Sequence, residues 1–381
     1  MNSDYHSGLS VGILGGGQLG RMFIQEALNF DVRVCILDPN LNAPCAAIAH
    51  EFIQGDITDF DAVYAFGKNK DVVTIEIEHV NVDALDKLAE EGIKVYPQPH
   101  IIRLIQDKGI QKEFYEANNI PTAPFRLIKN ASELPANADF LPFMQKARTG
   151  GYDGKGVQAI KTEADFENSF PDGSLLEAFL DFDKELSVIV ARNEKGEMMT
   201  YPIVELEFNP EANLVEFLFA PANVTKEIAE EASALAKTVI EKLGMVGILA
   251  VELFLTKDGK ILVNEVAPRP HNSGHQTIEA NYTSQYEQHL RSIINLPLGS
   301  TGVIKPSVMV NLLGEKGYIG KAKYEGIEEV ISWQGVYPHI YGKENTKPFR
   351  KMGHVTVIAD SLNEAKSLAL NVKKTLKVIA E

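Results

Sequence analysis

The chain has 381 residues with 52 acidic and 37 basic side chains, so its formal net charge is −15. This acidity disfavours nucleic acid as a partner, the absence of a long apolar run disfavours a membrane protein, and the polar start of the chain disfavours a secretion signal. Cys35 and Cys45, without metal-binding spacing, are typical of a reduced, cytoplasmic protein. We therefore expect an intracellular α/β enzyme of two or three domains.

The first part of the chain alternates apolar runs with helical patterns. Strands are predicted at residues 11–14, 32–37, 72–75 and 94–96. Helical periodicity covers Gln18 to Phe30 and returns at residues 83–91. Because a strand–helix–strand unit implies parallel strands, we predict an N-terminal doubly wound parallel-sheet domain of residues 1–97.

A glycine-rich loop joins the first strand to the first helix. Gly15, Gly17 and Gly20 satisfy the GxGxxG pattern, and Asp38 ends the second strand, where a ribose-binding acid would lie. The pattern is typical of nicotinamide-dependent oxidoreductases, because its glycines let a pyrophosphate approach the helix N-terminus. The same loop can hold another phosphate or pack a helix closely on a sheet, so these alternatives stay open.

A second glycine-rich segment lies between two predicted strands in the middle of the chain. The strand at residues 142–146 ends at Lys146, the segment 149–156 contains four glycines, and a strand at 157–160 follows. Backbone N–H groups of such a loop can surround anionic oxygens, and Lys146 and Lys155 add positive charge. We therefore predict a phosphate-binding hairpin, with a plain mobile hairpin as the alternative.

A later hairpin brings two glutamates together. Strands at residues 248–256 and 261–266 are joined by an Asp-Gly turn, and counting outward from that turn places Glu252 opposite Glu265. Their Cβ atoms would be about 5 Å apart on one face of the sheet. Such a pair repels unless one member holds a proton or a hard divalent cation lies between them. The alternative is a β-bulge that moves one glutamate to the surface.

The loop after this hairpin is rich in groups that bind anions and carry protons. It contains Arg269, His271, Asn272, Ser273 and His275 within seven residues. Zinc is disfavoured because no third ligand lies near the two histidines. A nucleophilic serine is disfavoured because the flanking elbow pattern is absent. We predict that this loop holds an anion and handles protons at the edge of a metal site.

Together these motifs carry a family resemblance over nearly the whole chain. They are the segments 15–22, 148–156, 264–269, 269–275 and 348–354. In this order they resemble the N5-carboxyaminoimidazole ribonucleotide synthetase family of the ATP-grasp superfamily.

The resemblance implies a mixed α/β and α+β architecture with an ATP-grasp fold. The N-terminal doubly wound parallel-sheet domain would precede an ATP-grasp domain at about 98–300, whose lid covers about 120–185. A small C-terminal domain would occupy 301–381.

The resemblance also implies a reaction in purine biosynthesis. ATP, bicarbonate and 5-aminoimidazole ribonucleotide would give ADP, phosphate and the N5-carboxylated ribonucleotide through carboxyphosphate. The protein would be an ATP-dependent carboxylate–amine ligase that uses Mg²⁺ or Mn²⁺. It would act as a cytoplasmic homodimer on small molecules, without nucleic acid or membrane partners.

Site residues are implied by the same resemblance. The residues expected at ATP are Lys108, Lys146, Gly151, Tyr152, Asp153, Gly154, Lys155, Gly156, Val157, Glu177, Ala178, Phe179, Leu180, Glu185, Asn264 and Glu265. Glu252 and Glu265 would hold the metal. The residues expected at the ribonucleotide are Glu76, Tyr152, Asp153, Lys155, Arg269, His271, Lys343 and Arg350. The expected catalytic residues are Arg269, His271, Asn272 and Ser273.

Three alternatives remain at this point. One is another ATP-grasp ligase that forms an acyl phosphate, such as a formate-using transformylase. Another is an oxidoreductase that uses NAD through the GxGxxG loop. The third is a nucleotide-binding regulator without catalytic activity.

Overall fold

The N-terminal part of the protein is a parallel sheet with helical connections. The computed structural model describes residues 5–150, 156–209, 211 and 214–381. The strands of this sheet are β1 (Ser10–Leu14), β2 (Arg33–Asp38), β3 (Glu51–Gln54), β4 (Val72–Ile75) and β5 (Lys94–Val95). The order is β3-β2-β1-β4-β5, with parallel pairing throughout. The helices α1 (Gln18–Leu28), α2 (Phe60–Gly67) and α3 (Val82–Glu90) connect them. The strand order runs from β1 outward to β3 on one side and from β4 to β5 on the other, so it reverses between β1 and β4. The predicted doubly wound sheet is therefore confirmed.

Carboxylates of the protein itself occupy the glycine-rich loop after β1. Glu76, which follows β4, accepts hydrogen bonds from the backbone N–H groups of Gly17 and Leu19, the latter at 2.8 Å. Asp38 accepts from the N–H of Gly16 at 2.7 Å. These N–H groups form the positive end of α1, where a pyrophosphate would bind. An internal anion already takes that position, which removes the physical basis for the NAD alternative.

The middle of the chain forms a separate antiparallel sheet. Its strands are β6 (Phe125–Asn130), β7 (Phe143–Ala147), β8 (Val157–Ile160) and β9 (Asp172–Ala178), in the order β6-β9-β7-β8. Strands β7 and β8 pair directly and flank the predicted phosphate-binding segment. The predictions for Gly151, Tyr152, Asp153, Gly154 and Lys155 fall on residues outside the described part of the chain.

One large, mostly antiparallel sheet carries the rest of the body. The remaining strands are β10 (Phe182–Arg192), β11 (Met198–Thr200), β12 (Val204–Asn209), β13 (Leu214–Ala220), β14 (Gly247–Thr256), β15 (Ile261–Ala267), β16 (Ser307–Leu313), β17 (Gly320–Glu325), β18 (Val336–Ile340), β19 (Asn345–Thr346), β20 (Lys351–Ile358) and β21 (Lys377–Ala380). The large sheet has the order β15-β14-β10-β12-β13-β16-β20-β18, with β11 paired to β10. Strands β19, β17 and β21 form a small sheet. Because β13 pairs with β16, the large sheet continues from the predicted central domain into the predicted C-terminal domain.

Helices cover the apolar faces of this sheet. They are α4 (Pro99–Gln106), α5 (Lys108–Ala117), α6 (Lys226–Leu243), α7 (Thr277–Ala280), α8 (Gln285–Ile293), α9 (Ile327–Val330) and α10 (Leu362–Thr375). The buried face of α6 packs with apolar residues of β10 and β14 in one core, and α10 packs on β16 and β20 in another. Within the described ranges, no helix is long and apolar enough to cross a bilayer.

The Gly17→Ala substitution tests the contact between the glycine loop and Glu76. A Cβ atom at Gly17 would lie 2.6 Å from Glu76 Oε1, so the buried carboxylate would have to move. We expect the free energy of unfolding, measured by urea titration, to fall by about 1–3 kcal/mol.

Gly20→Ala provides the matched control within the same motif. A Cβ there would approach Cys45 Sγ at 3.0 Å and no carboxylate oxygen closer than 3.7 Å. Alanine also favours the helix by about 1 kcal/mol, so the loss should be smaller. Wild-type stability in Gly17→Ala would contradict this account of the loop.

Candidate active site

The β14–β15 hairpin places two glutamates side by side, as the sequence predicts. Glu252 pairs directly with Glu265, although Phe254 pairs with Leu262 rather than with Val263. The predicted register is therefore off by one near the turn. A β-bulge between the two glutamates and the turn restores it, because Asn264 is the extra residue in β15. The bulge thus preserves the direct pairing of the two glutamates.

The two carboxylates have opposite electrostatic environments. Lys108 Nζ, at the start of α5, forms an ion pair with Glu265 at 2.5 Å and lowers the pKa of that carboxyl. Among the residues that the structure describes, no lysine or arginine forms an ion pair with Glu252: burial first, and then the charges of Glu265 and Glu185, raise its pKa. The structure therefore keeps one carboxylate ionised and makes the second negative charge costly.

This donor set fits a hard divalent cation that also binds phosphate. Glu252, Glu265 and the amide oxygen of Asn264 supply oxygen ligands on adjacent positions of the hairpin. In the described part of the chain, no group of three or more His, Cys, Asp or Glu residues could hold a metal ion on its own. Mg²⁺ fits the paired carboxylates, because it commonly takes one or two carboxylates and completes its shell with water and substrate phosphates.

A buried ion cluster lies next to the hairpin. Lys146 Nζ contacts Glu177 Oε2 at 2.5 Å and donates to Asn264 Oδ1 at 3.1 Å. Lys112, only 2% exposed, forms a second ion pair with the same glutamate. Lys112 is absent from the residues predicted by sequence. Its spacing of four residues from Lys108 on one helix was the available signal, because that spacing places both lysines on the same face.

The segment after Glu177 connects the small antiparallel sheet to the large one. Residues 177–180 run from the end of β9 to the start of β10, and Phe179 is 49% exposed within them. On β10, burial raises the pKa of Glu185 to about 7, and the charges of Lys146 and Glu265 also act on it. Glu185 therefore shares the electrostatic field of the lysine cluster and the carboxylate pair.

The loop after β15 brings His271 to the same hairpin and Arg269 to Glu78, which follows β4. His271 Nε2 lies 3.4 Å from Glu252 Oε1, and Arg269 Nε lies 2.9 Å from Glu78 Oε1. Ser273 is only 1% exposed and lies behind His271, with its Oγ 2.9 Å from Nδ1. Among the described residues, the buried side-chain nitrogen of Asn272 has no hydrogen-bond partner. The site therefore combines paired carboxylates, three lysines, an arginine and an imidazole, which suits the binding and transfer of phosphate groups.

Family profiles match the chain in three consecutive parts. The ribonucleotide synthetase preATP-grasp domain matches residues 9–106, and the ATP-grasp domain matches residues 113–286. The phosphoribosylaminoimidazole carboxylase C-terminal domain matches residues 307–368.

Relatives of similar length agree with these profiles. The N5-carboxyaminoimidazole ribonucleotide synthase of Bacillus subtilis is 38% identical over 94% of both chains. The crystal structure of N5-carboxyaminoimidazole ribonucleotide synthetase from Thermotoga maritima superposes with a TM-score of 0.90 at 46% identity, covering 98% of this chain and 100% of that one. The chain belongs to the N5-carboxyaminoimidazole ribonucleotide synthase family.

Two further comparisons concern a longer relative and a relative that was solved with its ligands. The chloroplastic phosphoribosylaminoimidazole carboxylase of Vigna aconitifolia is 39% identical over 94% of this chain, but the chain spans 65% of that longer protein. An Aspergillus clavatus N5-carboxyaminoimidazole synthase, solved with ADP and 5-aminoimidazole ribonucleotide, has a TM-score of 0.88 at 33% identity, covering 97% of this chain and 98% of that one. The predicted family and the ATP-grasp fold are confirmed.

Besides Arg269 and His271 on the loop after β15, the described residues that the family resemblance assigns to the ribonucleotide are Glu76, Lys343 and Arg350. Glu76 is buried at the N-terminus of α1. Lys343 and Arg350 lie on either side of the short strand β19 and donate to the backbone carbonyls of Lys351 and Asn345 at 2.7 Å and 2.5 Å. The segment before β19 approaches α1, because Arg21 Nη1 lies 3.7 Å from the position a Cβ would take at Gly342. The ribonucleotide contacts stay predictions.

The raised pKa of Glu185 predicts a pH-dependent stability. The folded protein holds this proton more tightly than the unfolded chain, so the free energy of unfolding should fall as pH rises from about 4.5 to about 7. In the Glu185→Gln variant this contribution is removed. We expect its loss of stability between about pH 5 and about pH 8 to be about 1–2 kcal/mol smaller than that of wild type, measured by urea unfolding.

Glu207→Gln is the control, because Glu207 is an exposed glutamate on the neighbouring strand β12. It should keep the pH dependence of wild type. Identical pH dependence of wild type and Glu185→Gln would show that burial does not perturb Glu185.

Proposed function

We propose that this chain catalyses the ATP-dependent carboxylation of 5-aminoimidazole ribonucleotide with bicarbonate, giving N5-carboxyaminoimidazole ribonucleotide, ADP and phosphate. Membership of the synthase family confirms the predicted class, an ATP-dependent carboxylate–amine ligase of purine biosynthesis. The observation that carries the proposal is the direct pairing of Glu252 with Glu265, with His271 beside that pair. This arrangement supplies the oxygen ligands and the polar contacts that an acyl-phosphate ligase needs.

Positive charge around the carboxylate pair is matched to phosphoryl transfer. Bicarbonate is a poor electrophile, and transfer of the γ-phosphoryl group of ATP converts it to carboxyphosphate. Such a transfer depends on alignment and on stabilising negative charge more than on covalent help. Lys108 and Lys146 lie at Glu265 and Asn264, where phosphate oxygens would approach. Glu252 and Glu265 would hold a Mg²⁺ ion, for which Mn²⁺ could substitute, and that ion would supply further positive charge to the phosphates.

The second half of the reaction uses the loop after β15. Arg269 and His271 would hold the bicarbonate-derived group, and the buried Asn272 amide nitrogen, which has no hydrogen-bond partner among the described residues, would be available to it. The amine of the ribonucleotide would attack carboxyphosphate and displace phosphate, or would add to CO₂ after phosphate has left. In both cases the amine loses one proton as the C–N bond forms. Lys343 and Arg350 would bind the ribonucleotide phosphate, with Arg21 as an additional cation nearby.

The small antiparallel sheet would exclude water from the active site. Carboxyphosphate hydrolyses readily, so a lid over the site protects it. The lid would extend over about 120–185, with residues 177–180 as its connection to the body, along which the adenine would lie. Glu185 would then accept hydrogen bonds from the ribose. We further propose that the enzyme is a cytoplasmic homodimer.

The experiment that tests the function is an ADP-release assay with purified protein. ADP should form only when bicarbonate and 5-aminoimidazole ribonucleotide are both present with ATP and Mg²⁺. The matched alternative mixture replaces them with formate and glycinamide ribonucleotide. ADP release in that mixture and not in the first would assign the chain to a transformylase instead.

A further inference from the structure

A buried hydrogen-bond chain lies behind His271 and involves a residue that the proposed function does not use. Ser187 Oγ lies 2.8 Å from Ser273 Oγ, which in turn lies 2.9 Å from His271 Nδ1. Both serines are only 1% exposed. Ser187 is on β10, directly opposite Glu252 of β14 in the sheet. This series of hydrogen bonds therefore runs from β10 through the loop after β15 to the imidazole that faces the carboxylate pair.

The backbone N–H of Ser273 determines which atom donates in each of these hydrogen bonds. The backbone N–H of Ser273 lies 3.3 Å from His271 Nδ1, and a backbone N–H can only donate. Nδ1 is therefore the acceptor in the neutral imidazole, and its proton is on Nε2. Because Nδ1 has no proton to give, Ser273 Oγ donates to it, and Ser187 Oγ donates to Ser273 Oγ. The Nε2–H is thereby presented toward Glu252.

Two hydrogen bonds to Gln285 fix the backbone at His271. Gln285, which is fully buried, accepts from the N–H of His271 at 2.9 Å and donates to its carbonyl oxygen at 2.7 Å. A Cβ at Gly274 would lie 2.4 Å from Gln285 Oε1 and 2.2 Å from Ile189 Cδ1, so this close packing requires glycine. The imidazole is therefore left with rotation and tautomer as its main freedoms, and the two serines restrict both.

We propose that Ser187 is a positioning residue which, through Ser273, holds His271 in the Nε2–H tautomer so that it donates a hydrogen bond to an anionic substrate oxygen beside Glu252. The inference rests on the proposed function for the identity of that anion. It also assigns Ser273, predicted to be catalytic, to positioning, because its hydroxyl is buried behind the ring.

A double-mutant cycle on kcat tests this role. We expect Ser187→Ala to lower kcat about five-fold, the equivalent of one net hydrogen bond, and Ser273→Ala to lower it by at least as much. The double variant should match Ser273→Ala alone, because Ser187 acts only through Ser273. The KM for ATP should stay unchanged. Additive effects of the two substitutions would overturn the proposal.

Ser292→Ala is the matched control. Its hydroxyl is equally buried, but it bonds the Gln288 carbonyl within α8. This variant should keep the wild-type kcat. A loss equal to that of Ser187→Ala would show that removing any buried hydroxyl has the same effect, and would overturn the proposal.

The tautomer can be measured without catalysis. In ¹⁵N-histidine-labelled protein without substrates, His271 should show a protonated Nε2 and an unprotonated Nδ1, with its signals assigned by their loss in His271→Gln. In Ser187→Ala the Nδ1–H form should become populated. A protonated Nδ1 in the wild type would overturn the inference even if the enzyme is active. Failure of the ADP-release assay with the expected tautomer intact would instead reject the proposed function.

Discussion

Two adjacent carboxylates of the β14–β15 hairpin are the constraint on which the site depends. Glu252 and Glu265 face one another in direct register, and their mutual repulsion must be balanced by neighbouring groups. The protein supplies Lys108 to one of them and leaves the other with a raised pKa. A fold that only needed stability would not place the two together. The pair is consistent with a site that is completed by a cation and by anionic substrates.

The N-terminal domain is tied to this site through the end of β4. Glu76 accepts hydrogen bonds from the glycine loop at the start of α1. Two residues later, Glu78 forms an ion pair with Arg269 of the loop after β15. The segment 76–78 therefore provides the carboxyl group that accepts from the N-terminus of α1 and the one that orients Arg269. This explains how a dinucleotide-like motif can occur in a protein of a different family: the loop's N–H groups bond an internal carboxylate.

Local patterns predicted the fold well because they depend on neighbouring residues. The apolar runs of the parallel sheet and the hairpin around the Asp-Gly turn needed only periodicity and turn chemistry. The Glu252–Glu265 pairing was correct although the register near the turn was wrong, because the bulge at Asn264 compensated for the error. Bulges leave no clear signal in a single sequence.

The contacts that sequence reasoning missed join distant segments of the chain. Ser187 and Ser273 are 86 positions apart, and neither has a motif that indicates their hydrogen bond. Lys112 had a helical-spacing signal, but its partner Glu177 lies on another sheet. The internal role of Glu76 also required the tertiary structure, because its partners lie 56–59 residues earlier in the chain.

The central claim is that the carboxylate pair is a divalent-cation site completed by nucleotide phosphates. The most direct measurement is a Mn²⁺ titration followed by electron paramagnetic resonance, with a non-hydrolysable ATP analogue, on wild type, Glu265→Gln and the exposed-site control Glu90→Gln. We predict that affinity for the nucleotide-dependent Mn²⁺ falls about ten-fold or more in Glu265→Gln and is unchanged in Glu90→Gln. Equal Mn²⁺ affinity in all three proteins would contradict the account.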